Sequence, residues 1–459
     1  MSIPVGSAAP AAATWGLAAL VRQAGLAWVT RAGLRFLLIA DVLIVGRHAT
    51  SQLAPVGIAY AVAGVLYVLS FGLLLGCLVR TAAAAAGPRP QDAGAVLGDS
   101  LVFSVLAGGL ALLACQFGEP VLLGFGQSAA VSADGGRLLA VLGLGIPFHF
   151  VFVSGAFFLE ALGRGGVAAA LTALAFALNC GLSLAVGAAA LLPEADAALW
   201  IAGITVALRA AMAVAVLALI CRLPDRRALG LRLRWPRWSC GRGLRRIGFA
   251  AGASIAVESA SIASLSIFAG WLGDAALAAY TVLNNLVSLM FSLALAIGVV
   301  TGAQVAAGAV RGARPGALLA FRSGIMAVLA LMAVLGSATY LGRDILVALA
   351  TADVGVAGLA LPLVIMVSVL VLADGGQTVV NHALRGLGDT WPATLIHLAC
   401  YLLLMTGGGW LLGIAWQRGL VGLLEAATLA SFAAMVILTV RFFVLARRLP
   451  AGAAMTAPG

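Results

Sequence analysis

Long apolar runs, interrupted by short polar connections, divide most of the chain into twelve segments between Leu17 and Arg448. About 20 mostly apolar residues are enough to cross the hydrocarbon core of a bilayer as a helix. The runs lack the alternation over about ten residues that marks the strands of membrane barrels. Because backbone polar groups in lipid must be satisfied within a helix or a closed barrel, the pattern predicts an all-α polytopic membrane protein with twelve transmembrane helices.

Composition agrees with this class, since 63% of the 459 residues are hydrophobic, 9% are charged and the mean hydropathy is +1.12. Residues 1–16 have neither the charged start nor the cleavage site of a signal peptide, and we predict a disordered tail there. The six cysteines are scattered without CxxC spacing or a companion histidine cluster. They indicate neither disulfides nor a metal site.

Basic residues are concentrated in one connection. All 27 are arginines, and nine of them lie within residues 222–246. Such a patch could bind nucleic acid, but the positive-inside bias of membrane proteins favours a cytoplasmic loop. Alternate connections are also rich in arginine, whereas the opposite ones carry acids. We therefore expect an inner-membrane protein with both termini in the cytoplasm and no nucleic-acid partner.

The two halves of the chain resemble each other. Residues 44–54, 72–76 and 161–165 recur in order as 268–278, 298–302 and 386–390, at offsets of 224, 226 and 225. Two six-helix repeats entering from the same side are related by an axis along the membrane normal, which is typical of transporters with two lobes. The predicted organisation comprises a tail (1–16), a first lobe (17–221), a basic linker (222–246), a second lobe (247–445) and a tail (446–459).

Three carboxylates, Asp41, Glu258 and Asp374, lie well inside apolar segments. A charge at the bilayer centre costs about 2.5 to 3.5 kcal/mol on insertion scales, so such residues usually face a cavity or a partner and mark ion or substrate paths. Low dielectric favours the protonated carboxyl, which can exchange its proton or hold a desolvated Na⁺. The alternative is a structural pair with an intramembrane arginine such as Arg209.

Polar residues share a helix face with two of these acids. Glu258 has Ser254 four residues before it and Ser261 three residues after it. Asp374 is followed at +3, +7 and +11 by Gln377, Asn381 and Arg385. These spacings place each set on one face. We expect the faces to line a water-accessible pocket, with Asn284, Gln377 and Asn381 supporting a substrate or a cation such as Na⁺ at Glu258 and Asp374.

At these residues the sequence resembles the multidrug and toxic-compound extrusion (MATE) family, and more closely its NorM-like branch. The motifs that carry the resemblance are "ADVLIVGRH" (40–48), "VESASIASLSIFAGWLGDAALAAY" (257–280) and "ADGGQTVVNHALRGLGDTWPA" (373–393). The resemblance extends over about residues 20–445. The resemblance implies a V-shaped antiporter of twelve helices that exports drugs, often cationic, against H⁺ or Na⁺. It also implies cation coupling by Asp41 in the first lobe and by Glu258 and Asp374 in the second.

Two departures from the family pattern change the expectation. Many members carry an aspartate four residues after the fifth-span asparagine, whereas Asn179 is followed here by Ser183. We therefore expect coupling to run through Glu258 and Asp374, with Asn179 in a supporting role. Arg31 and Arg35, one turn apart in the first span, either pair internally or favour a substrate with an anionic group; the sequence leaves both open.

Glu160 and Arg385 occupy equivalent helix ends in the two repeats, and we predict that they pair when the cytoplasmic side closes. The function expected is a monomeric, cation-coupled antiporter without a cofactor. A flippase for a lipid-linked pyrophosphate is the main alternative, because Arg31 and Arg35 could bind the pyrophosphate. No phosphate loop, zinc motif or nucleophile elbow indicates an enzyme, and no re-entrant filter indicates a channel.

Overall fold

The computed structural model describes residues 17–124, 127–188, 194–231, 241–311, 313–351 and 353–451. All regular secondary structure in these ranges is helical. The predicted tail at 1–16, residues 232–240 of the basic linker and residues 452–459 of the second tail lie outside the described residues.

Eight helices form the first half: α1 (Leu17–His48), α2 (Leu53–Leu73), α3 (Leu75–Ala86), α4 (Asp92–Gln116), α5 (Gly118–Gly124), α6 (Ala129–Ala161), α7 (Gly165–Ala188) and α8 (Glu194–Cys221). Eight more form the second half: α9 (Arg242–Trp271), α10 (Asp274–Arg311), α11 (Ala313–Leu341), α12 (Arg343–Ala350), α13 (Val354–Ala360), α14 (Val364–Gly386), α15 (Trp391–Ala399) and α16 (Gly419–Ala446). Between α15 and α16 the chain forms wider π-helical turns over Cys400–Gly407 and Trp410–Ala415.

Within the described ranges, eleven helical stretches are long and apolar enough to cross a membrane. Some comprise two elements, since α2 and α3 together give Ala54–Ala86, and α13 and α14 give Val354–Gly386. The remaining long helix, α1, has 32 residues. Its arginines and Asp41 lower its hydropathy. With α1 counted, the structure confirms the predicted all-α polytopic membrane protein.

The chain divides into two compact units. The amino-terminal unit comprises residues 26–252, and the carboxy-terminal unit comprises residues 17–25 with 253–451. The division falls inside α1 and inside α9, so both helices contribute to both units. The lobe boundaries derived from the sequence stay a prediction.

Each unit is built around one buried central helix. In the amino-terminal unit α6 packs against α2, α4 and α8. In the carboxy-terminal unit α14 packs against α10, α11 and α16, and every residue of α14 from Ala373 to Arg385 is buried. A helix that is covered on all sides can carry polar groups only where neighbours supply hydrogen bonds. Asp374 lies at such a place on α14.

Small residues allow the central helices to approach their neighbours closely. A Cβ on Gly302 of α10 would lie 2.6 Å from the carbonyl oxygen of His382 on α14. Gly76 of α3 lies in the same way against the backbone of Leu244 on α9. The repeated glycines of the sequence therefore serve helix packing, as small residues do in membrane bundles.

In each unit a bidentate arginine–aspartate pair joins the connection after the central helix to the last helix of the unit or to the segment that follows it. Arg164 binds both carboxylate oxygens of Asp225 at 2.8 and 3.2 Å. Arg441 of α16 binds those of Asp389 at 2.5 and 2.8 Å. Residues 164 and 389 are equivalent in the repeat but opposite in charge. Two parallel N–H···O bonds make such a pair geometrically specific.

Candidate functional site

Asp374 lies at the centre of α14 in a shell of donors from three helical segments. Its Oδ1 accepts hydrogen bonds from the Tyr401 hydroxyl at 2.9 Å, the Gln377 amide at 3.2 Å and the Ser431 hydroxyl at 3.3 Å. Gln377 also donates to the Tyr401 oxygen at 3.1 Å. The shell holds one carboxylate oxygen in place, and no hydrogen bond to a described residue engages the other.

A cavity of about 40 Å³ adjoins this carboxylate within the carboxy-terminal unit. Its lining includes Glu258, Asn284, Asp374, Tyr401 and Ser431, and most of the remainder is apolar. One water molecule needs about 10–15 Å³, so the space suits a small cation or a few waters and is too small for a drug. Carboxylate, hydroxyl and amide oxygens are the donors that hard cations take.

Glu258 differs from Asp374 in having no hydrogen bond to any residue that the structure describes. It is half-buried on α9 and lines the cavity together with Asp374. Two carboxylates facing one small cavity repel each other when both are ionised, so the arrangement favours uptake of one cation or proton between them. No group of three or more histidine, cysteine, aspartate or glutamate side chains forms a metal site within the described ranges.

The other polar residues predicted to lie near Asp374 have different surroundings. Gln377 belongs to the Asp374 shell and Asn284 lines the cavity, whereas Asn381 is buried and its Oδ1 has no partner among the described residues. Arg385 is buried at the end of α14 and donates to the Ser254 hydroxyl at 2.7 Å. The structure thus brings Asp374, Gln377, Glu258 and Asn284 together, and it places Asn381 and Arg385 farther along the helix.

In the amino-terminal unit Asp41 is fully buried and accepts four hydrogen bonds. Its Oδ1 accepts from Asn179 at 2.6 Å and Ser183 at 3.4 Å, and its Oδ2 from Thr205 at 2.5 Å and Tyr60 at 3.0 Å. Asn179 therefore lies where the sequence analysis expects a supporting residue. Ser183, which replaces the second acid of the family pattern, contacts the same carboxylate with a hydroxyl.

Arg31 pairs internally. Its Nη2 lies 3.0 Å from Oε2 of Glu160, and its guanidinium lies 5.2 Å from the ring centre of Phe157. Arg35 is exposed and forms no hydrogen bond or ion pair with another described residue. The predicted pairing of Glu160 with Arg385 concerns a closed state and stays a prediction.

Four site residues were missed in the sequence: Tyr60 and Thr205 around Asp41, and Tyr401 and Ser431 around Asp374. Each is a hydroxyl group inside an apolar segment, and that is the signal that could have drawn attention to them. The chain has only five tyrosines, and two of them donate to the buried acids. Their pairing with a particular carboxylate depends on helix contacts between distant segments, which residue spacing does not contain.

Comparison with known proteins identifies the family of this chain. The MatE family model matches residues 27–184 and 250–411. A Caulobacter vibrioides protein described as a probable multidrug resistance protein NorM is 33% identical over 93% of this chain and 91% of its own. A protein of the same description from Aromatoleum aromaticum is 31% identical over 87% of this chain and 88% of its own.

Solved structures share the fold. A MATE protein crystallised in a bent conformation superposes with a TM-score of 0.85 at 15% identity, covering 94% of this chain and 96% of that one. A eukaryotic MATE transporter gives a TM-score of 0.82 at 18% identity, covering 94% and 97% of the two chains. With the match over both halves and the relatives along nearly its whole length, the chain belongs to the MATE family, whose members are membrane transporters and not enzymes.

Proposed function

We propose that this protein is an antiporter that exports small amphipathic compounds, often cationic, in exchange for H⁺ or Na⁺. The observation that carries the proposal is the pair of carboxylates, Glu258 and Asp374, facing one small cavity inside the carboxy-terminal unit. The names of its relatives, multidrug resistance proteins, support a drug-like substrate. The cavity itself has room for the coupling ion and not for the drug, so ion and substrate occupy different places.

The proposed mechanism follows from linkage. A cation that binds between Glu258 and Asp374 removes their mutual repulsion and stabilises one arrangement of the surrounding helices. Substrate must favour the other arrangement, because exchange requires that the two ligands bias the conformational equilibrium in opposite directions. Tyr401, Gln377 and Ser431 hold one oxygen of Asp374, which leaves Glu258 as the more adaptable partner for the arriving ion.

The proposed location is the inner membrane, with both termini in the cytoplasm, and it rests on the arginine bias of alternate connections. The flippase alternative rests on arginines that would bind a pyrophosphate. Arg31 is already neutralised by Glu160 at 3.0 Å, which leaves Arg35 as the exposed cation of the pair. One exposed arginine is weaker support than two facing acids, so we favour the antiporter.

Dye efflux from proteoliposomes tests the proposal. H⁺ and Na⁺ gradients are imposed separately on the parent protein, on Asp374→Asn and on Asp134→Asn, which alters an acid at the surface-exposed start of α6. We expect one gradient to drive export of a fluorescent cationic dye, Asp374→Asn to abolish it because an amide does not ionise, and Asp134→Asn to retain it. A folded parent that moves dye under neither gradient, or an active Asp374→Asn, would overturn the proposal.

A further inference from the structure

The amino-terminal unit contains a second buried charge close to Asp41. Arg209 of α8 is 1% exposed, and its guanidinium lies 3.9 Å from the ring centre of Tyr67. Its Nη1 lies 2.6 Å from Nδ1 of His149, while Nε and Nη2 have no hydrogen-bond partner among the described residues. A charge removed from water in this way requires a compensating charge nearby.

Hydrogen-bond directions show that His149 is not that compensating charge. A guanidinium can only donate, so Nδ1 of His149 accepts and its Nε2 carries the hydrogen. Nε2 then donates to the Ser70 hydroxyl at 3.1 Å, and Ser70 donates to the carbonyl oxygen of Tyr67 at 2.6 Å. These three hydrogen bonds are satisfied when the His149 imidazole is neutral. The positive charge of Arg209 is therefore not balanced by His149.

Asp41, on α1, is bound by side chains of α8 and α2, which are the helix that carries Arg209 and the helix that Arg209 contacts. Thr205, which binds Asp41, precedes Arg209 by one turn on α8, a spacing that places the two side chains as neighbours on one face. On α2, Tyr60 binds Asp41 and Tyr67, two turns later, lies beneath Arg209. The two buried charges therefore face neighbouring turns of the same helices.

Four polar side chains surround Asp41: Asn179 and Ser183 at Oδ1, and Thr205 and Tyr60 at Oδ2. The single hydrogen of the Thr205 hydroxyl is within reach of both Oδ2 of Asp41 and Oδ1 of Asn179, so the unbalanced charge of Arg209, and not this shell, is the reason for an ionised Asp41. An arriving cation would have to displace these donors. Glu258 presents the opposite situation, because it has no hydrogen bond within the described part of the chain and lines a cavity.

We infer that Arg209 is the permanent counter-ion of Asp41 and takes the place that an external cation would otherwise fill in the amino-terminal unit. The pair keeps Asp41 ionised and closes this unit to the coupling ion. Exchange with H⁺ or Na⁺ then runs through the carboxy-terminal unit alone. This last step rests on the proposed function, whereas the pairing of Asp41 with Arg209 does not.

Charge removal tests the pairing without any transport assay. Asp41→Asn or Arg209→Gln alone leaves a buried charge uncompensated, and we expect each to raise the unfolding equilibrium constant in detergent by about 100-fold or more. The double variant, which buries no net charge, should recover most of that loss. The matched control combines Asp41→Asn with Arg35→Gln, an exposed arginine of the same unit, and should not recover. A double variant with the summed loss of the two singles would overturn the pairing.

Equilibrium binding of ²²Na⁺ to purified protein, with competition by H⁺, tests the closure of this unit. We expect one site per chain, lost in Asp374→Asn and retained in the Asp41→Asn/Arg209→Gln double variant. A second site in the parent that disappears in the double variant would overturn the inference. If the parent binds no ²²Na⁺, H⁺ uptake by the same variants is measured with the same expectation. A parent that takes up neither ion contradicts the proposed function instead, and the stability measurements still decide whether Arg209 compensates Asp41.

Discussion

The hydroxyl of Tyr401 donates a 2.9 Å hydrogen bond to Oδ1 of Asp374, from a position 27 residues farther along the chain. Tyr401 lies in the π-helical turns of Cys400–Gly407, beside the central helix α14. The bond selects one orientation of the carboxylate relative to the cavity that it shares with Glu258.

Tyr401→Phe should impair coupling without unfolding the protein. The change removes one donor from Asp374 and keeps the ring, and a hydrogen bond to a charged group contributes about 1.5–3 kcal/mol. We expect cation-driven dye efflux from proteoliposomes to slow by about tenfold or more. Tyr280→Phe is the matched control, since Tyr280 lines the same cavity and forms no hydrogen bond with a described residue. Equal rates in both variants would show that the phenol of Tyr401 does not position Asp374.

The ion pair of Arg31 with Glu160 should stabilise the amino-terminal unit. Both side chains are nearly buried, at 7% and 6% exposure, and breaking a buried pair from one side costs about 3–5 kcal/mol. We expect Glu160→Arg to reduce the yield of folded protein, and the exchange Arg31→Glu/Glu160→Arg to restore it. The yield is measured by size-exclusion chromatography in detergent.

Variants at the same positions distinguish Arg31 from Arg385 as the partner of Glu160 in the folded protein. Arg385→Glu combined with Glu160→Arg should leave the folded yield low, because Arg385 is bound to Ser254 in this structure. Recovery of yield with Arg385→Glu but not with Arg31→Glu would contradict the assignment of Arg31 as the partner of Glu160.

Gly302→Ala should destabilise the carboxy-terminal unit. The added Cβ would lie 2.6 Å from the His382 carbonyl oxygen, so α10 must move away from α14, the helix that carries Asp374. We expect a lower Tm in detergent and slower efflux. Gly203→Ala is the control, because nothing lies within 4 Å of a Cβ at that helical position, and replacing a helical glycine by alanine is favourable by about 0.5–1 kcal/mol. An unchanged Tm for Gly302→Ala would mean that the helices separate at no cost.

The class of the fold follows from the sequence. The apolar runs are long enough to span a bilayer, and the requirement to satisfy backbone polar groups in lipid leaves helices as the outcome. The same reasoning identified Asp41, Glu258 and Asp374 as candidate site residues. A charged side chain in an apolar helix is energetically costly, and this can be recognised without knowing which residues surround it. Asn179 and Gln377 followed from motif and helical spacing.

The groups that surround each acid depend on the packing of the helices. Tyr60 and Thr205 meet Asp41, and Tyr401 and Ser431 meet Asp374, from segments 19 to 164 residues away. This packing also decided that Arg31 pairs with Glu160. The sequence did not contain these partners because helical periodicity specifies the face on which a side chain lies, whereas the packing of the helices determines what that face meets.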